Sequence, residues 1–245
     1  DDSTHVFFQN TMVEAEGHGG PITKLIFAYN MMRHYHTHHR GELRMIGNVI
    51  DGLYNGPNIE AKEWPSHIQD FLILWRNMHS DPETKFYAYN NIIRNNDHRN
   101  ACGFRLDNAQ NTTIKIYNNI FYNIGRSSNW GGYWEGRGIA INDTPSLVEI
   151  KSNFFHNLNS PVHARFDNVK VHHNMLGATW RHQWDQGGYR GFENLSGTPD
   201  QNFVDFDNGD FQLKAGSKMI DAGPEEPWYF DRDGSRNDIG LFGGS

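Results

Sequence analysis

Eight residues, Arg33-His-Tyr-His-Thr-His-His-Arg40, concentrate imidazole and guanidinium groups in one short segment. It is too polar to fill a core. It stands between a strand expected to end at Met32 and one expected to start near Glu42, and is therefore expected as a turn or the start of an exposed strand. If extended, it sends His34, His36, His38 and Arg40 to one side and Tyr35, Thr37 and His39 to the other, because strand side chains alternate. Such a row suits an anionic polymer. Arginine pairs with a uronate carboxylate in bidentate fashion. Once that carboxylate is neutralised, a neighbouring base can take the proton alpha to it, which is what β-elimination requires. An arginine base demands a strongly perturbed site, since its ordinary pKa exceeds about 12. His36 and His38 thus stand beside Arg40 as candidate catalytic groups, with His34, His18 and Arg44 as candidate substrate contacts. The same histidine spacing could hold Zn²⁺ or another transition metal, and a solvated turn without chemistry is the third reading.

Other residues extend this picture. Glu14 and Glu16 could bind a cation such as Ca²⁺ through oxygen ligands, although a pair of solvated carboxylates is the default. Two segments, Asn129-Trp-Gly-Gly-Tyr-Trp-Glu-Gly-Arg-Gly138 and Trp180-Arg-His-Gln-Trp-Asp-Gln-Gly-Gly-Tyr-Arg190, read as loops. Aromatic faces stack on pyranose rings and glycine permits close approach. Trp130, Trp134, Trp180 and Tyr189, with Arg190, are candidate walls of a sugar cleft, or else a lid folded back over the scaffold. Trp64 and Trp75, beside the apolar Phe71-Leu-Ile-Leu run, are expected to fill packing space. The acidic spacing Asp231, Asp233, Asp238 reads as a hydrogen-bonded turn rather than a calcium loop, since the glutamate that closes an EF-hand loop is missing.

These residues need a rigid frame, and a repeat supplies it. Short apolar runs end in asparagine and resume with apolar residues, as in Ile26-Phe-Ala-Tyr-Asn30-Met-Met and Ile114-Lys-Ile-Tyr-Asn-Asn119-Ile-Phe. The asparagines are Asn10, Asn30, Asn48, Asn91, Asn119, Asn153 and Asn174, at intervals of 20, 18, 43, 28, 34 and 21 residues. Periodicity of this kind outranks local propensity. It predicts an all-β, right-handed parallel β-helix whose coils stack at about 4.8 Å. Alternation such as Val169-Lys-Val-His sends one face inward and the other to solvent. Asparagine at the turns tolerates left-handed backbone, and stacked amides can bond coil to coil as an internal ladder. Hairpin turns of a sandwich would favour Asn-Gly instead.

Composition bounds the rest. The 245 residues form one expected domain, with coils over about 4–195 and a loop-rich closing segment over 196–245. A net charge of -7 argues against nucleic acid, and no apolar stretch is long enough to cross a membrane. The single cysteine, Cys102, excludes a disulfide framework within the chain. The first coil begins near Thr4, so the open end of the stack is expected to be covered by a missing segment or a partner chain.

Several of these residues also carry a family resemblance. Thr4-His-Val-Phe-Phe-Gln-Asn10, the segment 24–40 and Gly47-Asn-Val-Ile-Asp-Gly-Leu-Tyr-Asn55 resemble the middle of polysaccharide lyases of the pectate lyase superfamily, and Ile220-Asp-Ala-Gly and Asp238-Ile-Gly resemble endings common among bacterial β-helix polysaccharide enzymes. The resemblance implies a secreted or periplasmic lyase that cleaves a uronate-containing polysaccharide with the help of Ca²⁺. The sequence departs from that pattern in two places. Gln9-Asn10 stands where the family has Asp-His, so an expected calcium-binding aspartate is absent. Arg40 matches either the second arginine of the family's Arg-x-Pro-Arg motif, which puts Thr37 at the catalytic place, or, with a loop one residue shorter, the catalytic arginine itself. Two alternatives stay open. Gly17-His18-Gly19 after Asp1-Asp2 is similar to elements of β-helix polygalacturonases, which would make the chain a glycoside hydrolase. The third is a non-catalytic carbohydrate-binding or scaffold β-helix.

Overall fold

The computed structural model of the chain describes residues 3–17, 22–39, 41–52, 71–77, 84–96, 101–125, 136–164, 166–177 and 191–243. They are nearly all β and form two long parallel sheets plus one short antiparallel pair. The seven-stranded sheet is a first stack. In spatial order it holds β1 (Ser3–Phe8), β3 (Ile22–Ala28), β5 (Glu42–Ile46), β8 (Thr84–Tyr89), β11 (Thr112–Tyr117), β14 (Leu147–Lys151) and β17 (Val169–His172).

The twelve-stranded sheet is two further stacks joined by one long strand. The second stack runs β6 (Val49–Asp51), β9 (Ile92–Asn96), β12 (Ile120–Ile124), β15 (Phe154–Leu158), β18 (Met175–Leu176) and β19 (Leu195–Ser196). The third runs β7 (Phe71–Asn77), β10 (Cys102–Asp107), β13 (Arg137–Ile141) and β16 (Ser160–His163). The link is β4 (Met31–His39), whose first residues pair with β6 and whose later residues pair with β7. Along β4 lies β2 (Thr11–Gly17). The chain thus visits the stacks in turn and returns to the first one strand further along.

Alternation explains why these segments take these places. Leu25, Leu43, Phe86, Ile114, Val148 and Val169 stand in register along the first stack, and all are buried. On the third stack Tyr35, Ile73, Phe104, Ile139 and Val162 do the same. Trp75 is fully buried in this core, as its apolar surroundings predict. Burying each large side chain of this kind contributes about 1.5–3 kcal/mol.

The corner between first and second stacks carries the asparagine ladder. The backbone N–H and Nδ2 of Asn91 both donate to Oδ1 of Asn119, each at 2.9 Å, and Asn119 repeats the pattern onto Asn153. The chain of amides runs from Asn10 through Asn30, Asn48, Asn91, Asn119, Asn153 and Asn174 to Asn194. One detail of the expectation is corrected. The left-handed residue is the one before each ladder asparagine, from Gln9 (φ 52°) to Glu193 (φ 53°). The ladder asparagine itself opens the next strand, so its amide faces along the stack instead of out to solvent. At the far end of the second stack a shorter ladder does use left-handed asparagines: Asn157 donates to Asn123 at 2.6 Å and Asn123 to Asn95 at 3.2 Å.

The closing segment covers the side of the stacks. It contains α1 (Pro199–Asn202), β20 (Phe203–Asp205) and β21 (Asp210–Leu213). Phe203, Phe206, Phe211, Met219 and Ile239 pack on Ile120, Tyr122, Phe154 and Met175, the outward side of the second stack. Residues 237–243 then run back along the ladder corner to Asn118 and Asn90. The acidic turn is hydrogen-bonded as expected: Ser235 donates to Asp233, Asp238 N–H to Asp231, and Asp221 N–H to Asp238. No helix among the described residues is long and apolar enough to cross a membrane.

Candidate functional site on the third stack

The histidine segment is a strand, not a turn. It continues β4 without interruption from Met31 to His39, so the apolar strand does not stop at Met32. Tyr35 and Thr37 face inward and are buried, Tyr35 against Phe27 with ring centroids 4.6 Å apart. Burial pushes the Tyr35 hydroxyl up to about 12, with the hydrogen bond to Thr37 opposing the rise. His36, between them, therefore faces outward and is half-buried, whereas His34 is buried at the bend between stacks.

Parallel pairing sets what lies beside them. Glu14 is in register with His34 and Glu16 with His36. On the other side His36 is in register with Leu74 and His38 with Arg76. One strand further, Arg105 is in register with Leu74 and Asp107 with Arg76. Arg76 and Arg105 are both half-exposed and share the Asp107 carboxylate, at 3.3 and 3.0 Å, and Asn142 donates to the same carboxylate at 2.6 Å. Burial alone would raise the Asp107 carboxyl. The Asn142 and Arg105 hydrogen bonds and the guanidinium charge outweigh it, and the group lies below its ordinary range. The outward side of the third stack therefore presents imidazole and guanidinium groups at successive strands, spaced by about 4.8 Å.

Several expected site residues fall elsewhere. Arg44 is on β5, on the outward side of the first stack, so it does not join the histidine row. There it pairs with Glu42 and its guanidinium lies 5.6 Å from the Tyr87 ring centroid. His18, Arg40, Trp130, Trp134, Trp180, Tyr189 and Arg190 lie outside the described residues, as do the side chains of Glu14, Glu16 and His38. Segments 126–135 and 178–190, which carry the tryptophans, both follow second-stack strands in the chain, and 126–135 leads directly into third-stack β13. Arg76, Arg105 and Asp107 escape the motif reading. Their signal was nevertheless present, because in Phe104-Arg-Leu-Asp107 polar residues alternate with core residues.

The described residues offer no calcium donor set. No group of three or more His, Cys, Asp or Glu among them is placed to hold a metal ion. Gln9, at the position where the resemblance implies a cation-binding aspartate, is the left-handed residue of the turn, at φ 52°, and Asn10 after it gives its amide to Asn30 and to the Phe8 carbonyl. Comparison with family models, curated proteins and solved structures gives no match to the chain.

Proposed function

We propose that the three stacks form a right-handed parallel β-helix of the pectate lyase type, whose third face binds an acidic polysaccharide and cleaves it by β-elimination. The observation that supports this reading is the outward strip of His36, Arg76 and Arg105 on one parallel face, where Glu16 is in register with His36, His38 and Asp107 with Arg76, and Leu74 stands between His36 and Arg105. The guanidiniums pair with uronate carboxylates, which neutralises them and acidifies the adjacent C–H. A base, His36, His38 or Arg40, takes that proton. The electrons form the ring double bond, and the bond to the leaving glycosyl oxygen breaks. That oxygen leaves with a proton, and no water is consumed.

The test is ultraviolet absorbance during incubation with a panel of polyuronates, with calcium and with chelator. Growth of the unsaturated-uronate band is expected, falling at least about a hundredfold in rate in His36→Ala or Arg40→Ala, the scale of general-base loss. A flat trace with new reducing ends would replace elimination by hydrolysis. A flat trace without new ends would leave a binding or scaffold protein.

A further inference from the structure

The outward side of the first stack carries a column of tyrosines. Tyr87 and Tyr89 stack at 6.0 Å, Tyr89 meets Tyr117 at 5.5 Å, and Tyr117 meets Tyr229 of the closing segment edge-on at 5.4 Å. Between this column and residues 241–243 lies a cavity of about 790 Å³, within the range of small-molecule sites. Its floor at Gly47 is cut away for one ring. A Cβ there would sit 2.7 Å from the Tyr29 ring, and Tyr29 is 60% exposed.

We propose that this cavity is a second carbohydrate site, taking an acidic pyranose unit of an oligosaccharide. Tyr29 and Tyr89 both line the cavity, and their hydroxyls have no hydrogen-bond partner among the described residues. Burial, with Tyr87 beside it, holds the Tyr89 hydroxyl well above its ordinary value of 10, so it is a donor. Arg232 lines the same cavity, is exposed, and has no carboxylate partner among the described residues. Aromatic faces for a ring, free hydroxyls for sugar hydroxyls and an uncommitted guanidinium for a carboxylate define the ligand class. The site lies on a different stack from the histidine row and stands whether or not the third face cleaves.

Hydrogen exchange on addition of trigalacturonate tests it, in the His36→Ala chain, where the proposed cleavage would not consume the ligand, and in that chain carrying Tyr29→Ala or Arg232→Ala, with maltotriose as neutral control. Tyr29 and Arg232 are exposed, so both substitutions are expected to leave the fold intact. Exchange is expected to slow at 44–48, 89–91 and 241–243, at a trigalacturonate concentration at least about tenfold higher when Tyr29→Ala or Arg232→Ala is present, the loss of one stacking or charge-assisted contact. Ligand on the third face would instead slow 71–77 and 102–107, so the two sites are read separately. No slowing at the first three segments, equal slowing by maltotriose, or indifference to Tyr29→Ala and Arg232→Ala would each overturn the proposal. Absence of cleavage, or of protection on the third face, leaves these outcomes unchanged.

Discussion

Asn119 is fully buried and has no unused polar atom. Its Oδ1 accepts from the backbone and side chain of Asn91, and its Nδ2 reaches the Ala88 and Tyr117 carbonyls and Asn153, all at 2.9 Å. Replacing it by alanine strands two buried donors on Asn91. Leaving buried groups unpaired costs about 1–3 kcal/mol each, so Asn119→Ala is expected to cost about 3 kcal/mol or more, read from the urea midpoint. Asn10→Ala, at the exposed end of the ladder, is expected to cost less than about 1 kcal/mol. The ladder was legible because asparagine followed by apolar residues repeats. Asn194 was not, because only one apolar residue, Leu195, follows it. Protonation at Glu149 gives a second expectation at this scale. Burial would raise its carboxyl, but the hydrogen bond from His172 and the charge of Lys151 hold it below its ordinary 4.5. His173 is also depressed, by burial and then by His172. A depressed pKa means the unfolded chain binds the proton more readily, so stability is lost as pH falls. The urea midpoint should decline from about pH 6.5 downward through the acid range, and Glu149→Gln should flatten the part below about pH 4.5.

The strand is where the histidine row acquires its surroundings. Alternation along residues 33–39 was readable, and with it the inward place of Tyr35 and Thr37. The continuity of β4 was not readable. Local polarity left a turn and the start of an exposed strand both open, and pairing with β2 and β7 on either side decides for strand. Arg76 and Arg105 were missed because their nearness to His36 depends on register between strands separated by long connections, which no local pattern encodes. The third stack has its own constraint, at Gly138 within β13. A Cβ on Gly138 would lie 2.6 Å from the Pro161 carbonyl oxygen and 2.9 Å from the Phe155 ring. Backbone cannot yield there, and overpacking of this kind costs about 1–3 kcal/mol. Gly138→Ala is therefore expected to lower the urea midpoint correspondingly, with the slope of the transition unchanged.

Across the whole molecule, the closing segment ties the stacks together from outside. Asn118 donates to Asn237 Oδ1 and to the carbonyls of Asp238 and Gly240 at 3.0–3.1 Å, and Tyr229 donates to its Oδ1. Asn118 has a φ of 55°, which glycine adopts without strain. Asn118→Gly should therefore release the strap without disturbing the corner, and amide exchange over 237–243 should rise while the core strands stay protected. Glycine and proline punctuation made a loop-rich ending legible. Which surface it covers was not, because that follows from apolar residues such as Phe154 and Tyr122 pointing outward from strands already buried on their inner side. In the function proposed above, cleavage belongs to the third face. The most direct measurement is the mass of the fragments released from a polyuronate of defined length. Elimination is expected to yield fragments whose masses together equal that of the parent chain, one of them unsaturated. Fragments together heavier than the parent by one water, with no unsaturated end, would contradict it.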